Sequence, residues 1–183
     1  MDNLPRLVLV AVVSGAFATT PSHAQARAAV ALGGTWLDFG SPWGDLPAFT
    51  AQGRVARPLS ARVSGELSLL TVVPLGSFSA IPDCLAGASC FEYQTPNMLV
   101  GLVASVDMAG ASPALQVTVG VGRLEAIGMK GPGHRSSRVG SIGLEWALRR
   151  RGLTPTIGMR AIGLAPSVAG MRYLILPAVG VLF

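Results

Sequence analysis

The sequence predicts an all-β fold, an eight-stranded antiparallel up-and-down transmembrane β-barrel. Three observations carry this. Short runs of alternating side-chain character recur between clusters of Gly, Pro and Ser, as one-sided strands require. Charged residues make up 13% of the 183 residues, against about 25% in an ordinary soluble domain. Half of the chain is apolar, which suits a surface that faces lipid better than one that faces water. The length accommodates one domain or one small membrane barrel.

Residues 1–26 read as a targeting segment and residues 27–183 as the barrel domain. Arg6 supplies a short positive region, the run from Leu7 to Ala18 is apolar, and Pro21 breaks it. Ser22-His23-Ala24 and Ala24-Gln25-Ala26 present small residues where a signal peptidase cuts, so cleavage is expected after Ala24 or Ala26. A run of about 12 residues is too short to cross about 30 Å of hydrocarbon as a helix.

Eight strands are predicted at 28–39, 48–57, 62–73, 98–108, 114–125, 139–149, 154–164 and 172–183, each justified by its periodicity. The first alternates least well, because Trp36 and Asp38 share a face. In the second, Phe49, Ala51, Gly53 and Val55 alternate with Thr50, Gln52 and Arg54. In the third, Val63, Leu67 and Leu69 alternate with Ser64, Glu66 and Ser68. The fourth is apolar on both faces except at Ser105 and Asp107. In the fifth, Leu115, Val117, Val119 and Val121 oppose Gln116, Thr118, Gly120 and Gly122. Arg123 and Glu125 continue its apolar face, so they belong at a rim or after a bulge. The sixth sets Ile142, Leu144 and Trp146 against Ser141, Gly143 and Glu145.

Connections after the second, fourth and sixth strands are short, at Pro58 to Ala61, Ala109 to Pro113 and Arg150 to Leu153. Those after the third and fifth are long, about Pro74 to Asn97 and Ala126 to Arg138. Long loops at one rim and tight turns at the other are the habit of outer-membrane barrels.

In the last strand Tyr173, Ile175, Pro177, Val179, Val181 and Phe183 share one face. This resembles the closing strand of bacterial outer-membrane β-barrel proteins, which commonly end in an aromatic residue preceded by alternating apolar positions. Size and strand count resemble the eight-stranded OmpA-like or OmpX-like group, over about residues 27–183. The resemblance implies that Tyr173, Val179, Val181 and Phe183 form a signal read by the barrel assembly machinery, and that the chain resides in outer-membrane lipid. Pro177 departs from the pattern and removes one ladder donor. With both termini at the periplasmic rim, Phe39, Phe49 and Tyr173 fall near the outer interface and Trp146 and Phe183 near the inner one, as two aromatic girdles.

If the apolar sets face lipid, Arg54, Glu66, Asp107, Glu145 and Arg160 point inward, with Asp38 and Arg172 as further members. An eight-stranded interior is just filled by side chains, and isolated charges there are costly. An internal ion-pair network and a closed pore are therefore expected. Cys84 and Cys90, an even pair in an exported chain, suggest a disulfide that pins the 74–97 loop. Two thiols without a nearby His do not complete a zinc site. Phe78, Leu85, Phe91 and Tyr93 suit a folded, disulfide-pinned loop, and that loop is expected to meet an extracellular partner.

No enzyme is expected and no cofactor. His134 lies in Gly131-Pro132-Gly133-His134-Arg135-Ser136-Ser137, a loop by composition, with no acidic residue nearby to orient it. The net charge of +5 raises nucleic acid as a partner, but the basic residues are scattered, without interleaved aromatics, and no nucleic acid is expected. The alternative is a soluble periplasmic lipocalin-like barrel that binds an apolar ligand. That reading requires Val117, Val119, Ile142 and Leu144 to turn inward.

Overall fold

The computed structural model describes residues 26–39, 44–80, 93–109, 114–130, 133–148, 153–168 and 170–183. Residues 1–25 of the proposed signal segment, Cys84, Leu85, Cys90 and Phe91 lie outside the described residues. The elements are β1 (Arg27–Asp38), β2 (Asp45–Pro58), β3 (Val63–Pro74), β4 (Ser79–Ala80), β5 (Tyr93–Gln94), β6 (Met98–Ala109), β7 (Leu115–Ile127), β8 (Ser136–Ala147), β9 (Thr154–Val168) and β10 (Met171–Leu182). Eight of them form a closed antiparallel barrel in the order β1-β10-β9-β8-β7-β6-β3-β2, and β4 pairs with β5 as a separate two-stranded ribbon. No helix occurs among the described residues.

The register fixes the shape of the barrel. Starting at Tyr173, the outward-facing partners run Gly163, Gly140, Val121, Ala104, Leu67, Val55 and Ala28. The amide of Phe183 donates to the Ala28 carbonyl, so one circuit returns to β10 ten residues further along. Eight strands with that stagger tilt by about 40° and separate the levels of Tyr173 and Phe183 by about 25 Å.

Alternation holds on every barrel strand. Leu32, Val55, Leu67, Leu102, Val119, Leu144, Met159 and Val179 are all exposed on the outside, one from each strand. Trp36, Phe49 and Tyr173 are exposed near the rim of the long connections, while Trp146 and Phe183 are exposed near the other. Phe39 corrects the expected girdle: it is buried in the interior cluster, because it keeps the inward parity of Thr35 and Leu37. Asp38 and Arg172 are likewise not inward members, since both are exposed. Asp38 shares the outward parity of Trp36, and Arg172 sits at an irregularity between Met171 and Tyr173.

Strand ends at the rim of the long connections differ most from expectation. Ser136, Ser137 and Arg138 belong to β8, and β9 continues to Val168. The fifth connection is therefore shorter than expected, and the seventh is tight, with Met171 paired to Val168. The β8 extension is polar outside, at Ser136 and Arg138, whereas the β9 extension exposes Ala165 and Pro166. The 75–97 connection remains long, and its base is tied down by Phe78 N–H donating to Thr95 Oγ1 at 3.1 Å.

Candidate interior site

The interior has two halves. Toward the long connections it is filled by Leu37, Leu70, Val72, Leu99, Leu124 and Ile162, all nearly or fully buried, and Phe78 packs against this cluster from above. Each such side chain contributes about 1.5–3 kcal/mol by leaving water. Toward the tight turns the inward positions become polar. Arg54, Glu66, Ser68, Ser105, Asp107, Thr118 and Arg160 are buried there, with Glu145 half-buried beside them.

Adjacent strands bring these groups together. Glu66 lies between both guanidiniums: Arg160 Nη2 is 2.8 Å from its Oε1 and Arg54 Nη1 is 3.5 Å from its Oε2. Arg54 Nη1 also pairs with Glu145 Oε2. Ser105 Oγ donates to Glu66 Oε1 at 3.2 Å, and Arg160 Nη1 donates to Ser68 Oγ at 3.0 Å. Ser68 in turn donates to the Val103 carbonyl. Asp107 is inside but outside the ion pairs; its Oδ1 accepts from Thr118 Oγ1 at 2.6 Å. The register explains this, because Asp107 is the direct cross-strand partner of Thr118 and Glu66 that of Ser105.

Charges in a low-dielectric space are tolerable only when paired and hydrogen-bonded, and Arg54, Glu66, Glu145 and Arg160 meet that demand by pairing with one another. Arg54 Nε and Nη2 lack a hydrogen-bond partner among the described residues, and Arg54 lines two voids of about 20 Å³ each. That is room for a water or two. The chemistry available is structural, a cross-braced charged layer that ties β2, β3, β8 and β9 together.

Other residues marked by the sequence are placed elsewhere. His134 is exposed at the rim. Ser136 Oγ accepts from Arg123 Nε at 2.8 Å, and Ser137 Oγ donates to the Arg138 carbonyl at 2.9 Å, so both hydroxyls are engaged away from His134. Tyr173, Val179 and Phe183 are exposed and Val181 half-buried on the outer face of the closing strand. Sequence reasoning missed the apolar half of the interior. Inward Leu70, Val72 and Leu99 stand beside outward Leu69, Val73 and Val100, so those stretches show no alternation to read. The chain matches no protein-family model and no curated protein.

Proposed function

We propose that this chain is an exported bacterial protein whose barrel spans the outer membrane, filled and without an open pore, with a structural or surface-interaction role rather than catalysis. The observation that carries this reading is inverted polarity. Val119 and Leu144 are 48% and 50% exposed, whereas Glu66 and Arg160 are each 7% exposed. In water such an outer face exceeds the few hundred Å² of contiguous apolar surface that soluble monomers usually show. In hydrocarbon it is well solvated, and a closed ladder leaves no backbone edge without a partner.

The spacing of the aromatic rows supports the same placement, since about 25 Å is the height of the apolar band in such barrels. The leucine-filled outer half and the water-sized voids weigh against a soluble lipocalin-like carrier, which needs an internal cavity for its ligand. In this reading the N-terminal segment directs export, the outward face of β10 is the assembly signal, and the 74–97 connection meets an extracellular partner.

Cell fractionation with a gel comparing boiled and unboiled samples tests the proposal. The expected result is a product that stays with the outer membrane through urea washing and changes mobility on boiling. A processed product free in the soluble periplasm overturns it.

A further inference from the structure

Near the long-connection rim, the outer surface of β7 to β10 carries a cationic group above an apolar groove. Arg123 on β7 and Arg138 on β8 are direct cross-strand partners, both outward and exposed. Like charges so placed destabilise a ladder. Glu125 Oε1 offsets Arg123 at 3.1 Å from its Nε, but among the described residues the guanidiniums of Arg138 and nearby Arg135 have no partner. The acidic pair of the same rim, Asp38 and Asp45, face each other on β1 and β2, three strands from β8.

One outward position below Arg138 is Gly140, paired across the ladder with Gly163. These glycines and Ala161 floor a groove of about 520 Å³ walled by Val119, Ile142, Tyr173 and Ile175. The barrel does not require the bare floor. A Cβ on Gly140 meets nothing within 4 Å, and one on Gly163 meets only the Gly140 carbonyl oxygen at 3.9 Å.

We propose that this groove holds an acyl chain of a phosphate-bearing anionic lipid whose headgroup is bound by Arg138 and Arg123. The inference rests on the membrane placement proposed above. Charge complementarity selects the occupant. A phosphate relieves the opposed guanidiniums by charge-assisted, bidentate hydrogen bonds, whereas a zwitterionic headgroup brings its own cation. A second copy docked two-fold through this face sets arginine against arginine.

Native mass spectrometry of the full-length mature protein in neutral detergent tests this. The titrants are dipalmitoyl phosphatidylglycerol, the phosphatidylcholine with the same chains, and glycerol phosphate. The expected result is one phosphatidylglycerol bound about tenfold more tightly than phosphatidylcholine, the scale of one charge-assisted contact. Arg123→Gln with Arg138→Gln abolishes that preference, Gly140→Leu weakens both lipids, and glycerol phosphate does not compete. Equal affinity for the two lipids, a preference that survives both variants, or effective competition by glycerol phosphate overturns the site. A barrel that needs detergent yet shows no headgroup preference refutes this site alone. A chain that is soluble without detergent and binds neither lipid refutes the membrane placement beneath it.

Discussion

Glu66 accepts from both interior guanidiniums, through Oε1 to Arg160 and Oε2 to Arg54. Glu66→Gln keeps the shape and removes the charge between them, leaving Arg54 paired with Glu145 and Arg160 without its ion-pair partner. Breaking a buried pair in this way costs about 3–5 kcal/mol. Glu125→Gln removes an ion pair whose side chains are mostly exposed and costs less than about 1 kcal/mol. Denaturant unfolding followed by tryptophan emission measures both, and equal losses contradict the account. Which side of a strand Arg54, Glu66, Glu145 and Arg160 occupy is legible locally, because each neighbours an outward Val55, Leu67, Leu144 or Met159. Which carboxylate meets which guanidinium is not, because that depends on several registers at once. Asp107 shows the difference: its inward parity is readable from one strand, but its Thr118 partner comes from the pairing of β6 with β7. Phe39 is legible in the same local way, since it carries the inward parity of buried Thr35 and Leu37, which its assignment to a girdle overlooks.

At the scale of the element, alternation locates all eight barrel strands to within four residues of their ends. The misplaced ends cluster where β8 and β9 rise past the apolar belt, as in Arg138 paired with Ala165. Polar Ser136 and Arg138 on β8, and Pro166 on β9, look like loop when only the sequence is read. The β1–β10 seam depends on a constraint that no pattern shows. Its ladder runs from Ala29 with Leu182 to Leu32 with Val179, and above it Thr35 Oγ1 donates to the Ile175 carbonyl. Between these, a Cβ on Gly33 falls 1.9 Å from the Pro177 carbonyl oxygen, so only glycine lets the two strands approach. Gly33→Val forces the seam apart and is expected to cost about 1–3 kcal/mol, the range for overpacking. Gly140→Ala, with open space at its Cβ, is expected to change stability by less than about 0.5 kcal/mol. Thermal loss of the fast-migrating folded band ranks the two variants, and an equal ranking contradicts the close approach at the seam.

For the whole molecule, the stagger of ten residues sets a narrow interior that the two halves fill, leucines toward one mouth and paired charges toward the other. Reconstituted in planar bilayers, the protein is expected to show no stepwise conductance, and discrete steps contradict the filled interior. The fold class was readable because outward apolar residues recur around the entire circuit. The division of the interior was not, because it is a property of height in the barrel and no single strand displays it. Val119 lies about 11 Å above the level of Phe183, near the middle of the belt. An arginine there costs about 2–4 kcal/mol if hydrocarbon surrounds it and almost nothing if water does. Unfolding of Val119→Arg in phosphatidylcholine bilayers, compared with the unaltered protein, therefore measures the surroundings of the outer face directly. A loss of about 2–4 kcal/mol is expected; stability within about 0.5 kcal/mol of the unaltered protein, the usual effect of a surface substitution in water, contradicts the membrane placement.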